Sequence, residues 1–181
     1  MEVKMTQRIL LAGIFILFAF HSRAETGSRS IEPYHARPYS VQFIDEMSAH
    51  HEGGVEMAEM AISKAYHSKL KEMAKMMKQA QQEELAKMAD WRVRWYSSSP
   101  SYTYMGAEMD MSKLEKLSGP EFDIAFLDTM IMHHPGAIFL GREAAGRSEK
   151  SEIRAFGKKI SNAQQKELNE MRKMRDNWTK Q

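Results

Sequence analysis

At 181 residues, with 43% hydrophobic and 28% charged residues, the chain has room for one ordinary domain with a sizeable core. It contains 16 methionines and no cysteine, which excludes a disulfide framework and a thiolate metal site. The formal charge is +2; without residues 1–24 the basic and acidic totals fall from 26 and 24 to 23 and 23, so charge gives no reason to expect a nucleic-acid partner.

Residues 1–24 read as a signal peptide. Lys4 and Arg8 form a positive start, Ile9 to Phe20 an apolar run too short to span a bilayer, and Ser22-Arg23-Ala24 a small-residue cleavage site. The mature protein is therefore expected to be periplasmic or secreted, with no membrane association after cleavage. Residues 25–39 carry Gly, Ser, Pro and charge without a period and read as a flexible N-terminal segment.

The bundle is predicted over residues 40–179. Ser40 is placed as the cap of a first helix reaching about Tyr66, with Phe43, Met47, His50/His51, Gly54, Met57/Ala58 and Ala61 on one face. Ser68 is placed as the cap of a second helix to about Trp95, with the stripe Leu70, Met73/Ala74, Met77, Gln81, Glu84/Leu85, Met88, Trp91 and Trp95. Residues 97–119 connect the two halves, with Ser97-Ser98-Ser99-Pro100 as a helix breaker and a short helix around Lys113–Leu117. The connection is long for neighbouring helices and favours a first and third helix that run antiparallel. Ser118-Gly119-Pro120-Glu121 opens the third helix, with Phe122, Phe126, Met130, His133/His134, Ala137, Leu140/Gly141 and Ala144 facing inward. Pro135 lies inside it, where it removes a backbone bond and is expected to kink the helix. Ser148 or Ser151 is placed as the cap of a fourth helix carrying Ile153, Phe156/Gly157, Ile160, Gln164, Glu167/Leu168, Met171, Met174 and Trp178. No strand pattern competes. The fold class is all-α, a four-helix bundle of two repeated hairpins, 40–96 and 120–179.

The hairpins are copies. Phe43-Ile44-Asp45-Glu46-Met47 followed by His50-His51 returns as Phe126-Leu127-Asp128-Thr129-Met130 followed by His133-His134, at a fixed offset of 83 that continues to Trp95 and Trp178. About a third of the paired positions are identical, which marks an internal duplication. Gln81 and Glu84 return as Gln164 and Glu167, and Met88 as Met171.

Met47, His50 and His51 share a helix face, as do Met130, His133 and His134. Adjacent histidines are about 100° apart, so one of each pair faces inward and the other a helix–helix seam. Folding each hairpin at its turn brings His50 level with Glu84 and His133 level with Glu167. One lone histidine on such a face is more often a satisfied core residue than a ligand. Two pairs, each with a methionine one turn earlier and Gln/Glu opposite, favour a metal, since imidazole is the commonest metal ligand. Imidazole and thioether without thiolate suit copper, as Cu(I) or Cu(II). Iron or manganese at the His/Glu layer is the alternative, although Glu46 lies four residues before His50, not three, and its repeat counterpart is Thr129. Met105, Met109 and Met111 form an accessory Cu(I) candidate, and His67 reads as a helix-end residue.

The run Phe-x-Asp-x-Met, two residues, His-His, then Gln-Gln-x-Glu-Leu and a closing Trp resembles the ferritin-like domain-of-unknown-function family 305, which includes CopM-type periplasmic copper-binding proteins. The resemblance covers both hairpins and the Ser118 to Asp123 entry to the third helix. It implies a ferritin-like bundle, export and copper binding, with Met47, His50, His51, Met130, His133 and His134 as ligands. It also implies a role for Met57, in a His-His-x5-Met register. Leu140 breaks that register in the second copy, which on this pattern binds more weakly or uses Met132. Gln81, Glu84, Met88, Gln164, Glu167 and Met171 are then supporting or alternative ligands. The expected function is copper binding for tolerance or handling, without turnover. An iron or manganese oxidoreductase and a metal-free helical interaction or stress protein are the other readings, and a homo-oligomer is compatible with the sequence.

Overall fold

The computed structural model describes residues 37–99 and 111–180. Its helices are α1 Tyr39–Lys64, α2 Ser68–Tyr96, a short α3 Ser112–Lys116, α4 Gly119–Arg147 and α5 Ser151–Trp178. The signal peptide, most of the N-terminal segment, Met105 and Met109 lie outside the described residues. The four long helices are the ones the apolar periodicity predicts, and α4 runs through Pro135 as one helix.

α1 and α4 run antiparallel. The end of α1 meets the start of α4 through a bridge between Ala65 and Gly119. The start of α1 meets the end of α4, where the Ser40 and Ser148 hydroxyls bond each other. Gly119 has φ of 65°, a left-handed conformation that glycine adopts without Cβ strain.

None of the four serines placed as caps acts as one. The positions before α1, α2 and α5 are Pro38, His67 and Lys150, each without a side-chain cap bond. Ser40 lies one residue inside α1, where its N–H donates to Glu149 at 3.2 Å. The α1–α2 turn is held instead by Asp123 of α4. Its buried carboxylate accepts the N–H groups of Tyr66 and His67, both at 2.9 Å, and bonds His67 Nδ1 at 2.7 Å. The His67 ring stacks on Trp178 at 4.0 Å, so His67 is a helix-end residue.

The core falls into two apolar clusters, one at each end of the bundle. One joins the end of α1 to the starts of α2 and α4, and includes Met57, Phe122, Phe126, Met130 and Met171. The other joins the start of α1 to the ends of α2 and α4, and includes Phe43, Met47, Met88, Trp91 and Phe156. Between them, near mid-helix, lies a layer of buried polar side chains: His51, Gln81, Glu84, His133, His134 and Gln164. Burial of the two clusters stabilises the fold at about 25 cal/mol per Å² of apolar surface. The polar layer gives up that gain and must find partners for its polar groups.

Candidate metal centre

The two histidine pairs meet at the centre of the bundle. The His50 and His133 rings lie 3.7 Å apart, centroid to centroid, at 32°. His50 Nε2 donates to the His133 carbonyl at 3.2 Å. These first members of the pairs occupy the α1–α4 seam. The second members turn into their own hairpins: His51 Nε2 bonds Glu84 Oε2 at 2.9 Å, and His134 Nε2 bonds Glu167 Oε2 at 3.1 Å. This corrects the expected pairing of His50 with Glu84 and His133 with Glu167. Each hairpin closes so that the second histidine, one residue further on, faces the carboxylate.

The free nitrogens are distributed unequally. Nδ1 of His50, His51 and His133 is buried without a hydrogen-bond partner, as are both amide atoms of Gln81 and Oε1 of Gln164. His50 spends its Nε2 proton on a carbonyl, so its neutral ring carries the lone pair at Nδ1. A His51 ring that donates Nε2–H to Glu84 does the same, the arrangement by which a carboxylate orients a metal-binding imidazole. His134 differs: its Nδ1 bonds the Met130 carbonyl at 3.0 Å, so both its nitrogens face acceptors. Buried polar groups are normally satisfied, and this concentration of unpaired ones in a single layer marks a place for water or a bound cation.

Electrostatics keep the central pair neutral. Burial first, and then the nearby His51, lower His50 from 6.5 to about 4. Burial first, and then His50, lower His133 to about 2. Both rings therefore retain lone pairs well into the acid range, where a solvated imidazole would hold a proton.

Met47 and Met88 belong to the cluster on one side of the layer, and Met130 and Met171 to that on the other. Met57 is fully buried in the cluster with Met130, six residues beyond His51. Met111 is half-buried against that same cluster. Glu84 is buried, while the Glu167 side chain is 27% exposed. Among the described residues, no three His, Asp or Glu side chains are already gathered as a metal cage. A cation here would have to use the imidazole nitrogens together with neutral donors such as thioethers. Sequence reasoning missed two contributors. Lys159 of α5 places Nζ 3.6 Å from Glu84 Oε1. Gly136 leaves room for His50, whose Nε2 lies 2.9 Å from where a Cβ would stand. The small-residue match of Gly53 with Gly136 in the repeat was the available signal for the second.

These features define a ferritin-like four-helix bundle with a central histidine–carboxylate layer. The chain belongs to the family described as domain of unknown function DUF305, whose model matches residues 40–175. It is similar to CopM in the Cu(I)-bound form, at 29% identity and a TM-score of 0.70, over 77% of this chain and 96% of that one. It is likewise similar to CopM in a silver-bound form obtained by soaking, at 29% identity and a TM-score of 0.68 over the same shares. The DUF305 protein of Streptomyces coelicolor shares the fold at 20% identity and a TM-score of 0.72, over 78% of this chain and 93% of that one. No curated protein matches the chain. Among the described residues, no helix is long and apolar enough to cross a membrane.

Proposed function

We propose that this protein is an exported copper-binding protein that sequesters or hands on copper without turnover, and that His50, His51 and His133 supply the metal-binding nitrogens. The observation that carries the reading is the trio of buried Nδ1 atoms without partners in one layer. Imidazole and thioether donors without thiolate fit copper in either oxidation state. Met47 and Met130, one turn before each histidine pair, are the thioethers best placed to complete the set, with Met88 and Met171 beside them. Gln81 and Gln164 offer neutral amide oxygens. Glu84 orients His51 and also neutralises charge near the ion. His134, with both nitrogens engaged, serves the structure of the second hairpin. The similarity to copper- and silver-bound CopM supports the same reading. Iron or manganese is less well served, because Glu84 and Glu167 are each committed to a histidine of their own hairpin. The signal-peptide features of residues 1–24 support export, and mass spectrometry of the mature protein should find a start near Glu25.

The test is titration of the purified mature protein with Cu(I) and Cu(II), alongside the His50→Ala/His51→Ala double variant. The double variant should keep its helical circular dichroism and lose most high-affinity copper. Unchanged stoichiometry and affinity in a folded double variant would refute the assignment.

A further inference from the structure

Two levels of the α1–α4 seam, one helical turn apart on the same face, differ in a way that the duplication alone would not produce. Ala65 beside Gly119, His50 beside His133 and Ser40 beside Ser148 set the antiparallel register. In that register Ala49 comes level with Gly136, and Gly53 with Met132. At the first level, the space above Gly136 is filled by the His50 ring. At the second level, a Cβ at Gly53 would meet no atom within 4 Å. The residue level with that space is Met132, whose side chain is 75% exposed although it is large and apolar. Next to it in the chain is His133, only 8% exposed, with a buried Nδ1 that has no partner. The repeat counterpart of Met132 is Ala49, so the thioether stands at one level of the seam only.

We infer that the open level of the seam, between Gly53 and Met132, is the entry to the histidine layer for a soft monovalent cation, with the Met132 thioether as the surface group that captures the ion before His133. This rests on the copper reading above. A thioether is neutral and soft, so it selects Cu(I) or Ag(I) over hard cations and gives up little hydration to do so. Its flexible side chain can reach over the gap that Gly53 leaves. The final ligands lie deeper, so Met132 governs the rate of exchange more than the final affinity. Met76, 67% exposed on α2, is a thioether of similar exposure away from the seam and serves as the control.

The experiment is stopped-flow uptake of Cu(I), supplied in dilute acetonitrile, by the full mature chain and three variants, with equilibrium affinity measured in parallel by competition with a chromogenic Cu(I) chelator. Met132→Ala and Gly53→Val should each slow uptake and release by about tenfold and leave affinity within about threefold, since a change confined to the barrier alters both rates together. Met76→Ala should change neither. Uptake by Met132→Ala and Gly53→Val at the unsubstituted rate would overturn the entry route, as would a loss of affinity with no slowing. Equal slowing by Met76→Ala would also overturn it, because the effect would then belong to any surface thioether. Failure of the unsubstituted chain to bind Cu(I) at equilibrium would instead overturn the copper reading, and the entry route with it.

Discussion

Acid should destabilise the metal-free protein through His50 and His133, and the size of the effect can be worked from their surroundings. The His133 ring is buried and the His50 ring is half-buried with its Nδ1 out of solvent, and burial favours the neutral form: His50 is lowered to about 4 and His133 to about 2. In the unfolded chain each returns to 6.5. Above 6.5 neither state binds the proton, and the rings contribute no pH dependence. As the pH falls below 6.5, the unfolded rings protonate while the folded rings stay neutral, so stability declines until the folded values are reached. One unit of difference is worth about 1.4 kcal/mol. At about pH 5 the unfolded state therefore gains about 2 kcal/mol per ring. Each lowering includes the neighbouring ring's charge, so the pair together contributes about 2–4 kcal/mol. The assay is urea unfolding followed by circular dichroism at about pH 7.5 and about pH 5 after chelation, for the unsubstituted chain and for His50→Gln/His133→Gln. Carboxylates titrate in both proteins and largely cancel in the comparison. The double variant should lose at least about 2 kcal/mol less than the unsubstituted chain over that interval. An identical pH dependence in the two proteins would refute the claim that these rings are buried neutral.

Three further outcomes follow from packing. Gly157→Ala should destabilise by about 2–3 kcal/mol, because its Cβ would stand 2.6 Å from the Gly141 carbonyl oxygen, which is backbone and cannot swing aside; thermal unfolding measures it, and a neutral result would show that α4 and α5 can separate freely. Asp123→Ala should cost about 2–3 kcal/mol, since it leaves the Tyr66 and His67 N–H groups without their acceptor; hydrogen exchange at those two amides should accelerate, and unchanged exchange would count against the role. Gly53→Ala should stabilise by about 0.5–1 kcal/mol, because the new methyl meets nothing within 4 Å; a fall in the calorimetric midpoint would contradict the open space described there.

The helices were legible because their period is. The expected ends of α1 and α2, near Tyr66 and Trp95, fall within two residues of Lys64 and Tyr96. The serine caps were misread because hydroxyls have other uses: Ser40 spends its own on Ser148, across the bundle. The histidine–carboxylate pairing failed by a single residue. Neighbouring helix positions differ by about 100°, so a small error in the centre of a turn exchanges which of two adjacent histidines faces the partner helix. Asp123 could not be found at all. Its function as the acceptor for the α1–α2 turn exists only once α4 packs antiparallel to α1, and nothing in its own neighbourhood announces a buried carboxylate.

The duplication explains most of the scaffold, and its failures point to the chemistry. Arg92 with Asp45 at 2.8 Å and Arg175 with Asp128 at 2.9 Å are the same ion pair in each hairpin. The Lys150 ammonium 5.1 Å over Trp95 and the His67 ring on Trp178 are one closing contact in two versions. Against this background, the second hairpin has Gly141 and Gly157 where the first has Ala58 and Ala74. Without those methyls the α4 and α5 backbones come close enough for a Cβ at Gly141 to stand 2.5 Å from the Gly157 carbonyl. The same hairpin engages both nitrogens of its inner histidine, His134. The first hairpin leaves Nδ1 of His51 unpaired, and its carboxylate Glu84 faces Lys159, which comes from the second hairpin. Two equal copies would place identical, competing half-sites on either side of the axis. Here one copy supplies the more tightly packed support, and the unpaired nitrogens collect on His51 and on the His50–His133 seam, so the division of labour falls within a single bundle.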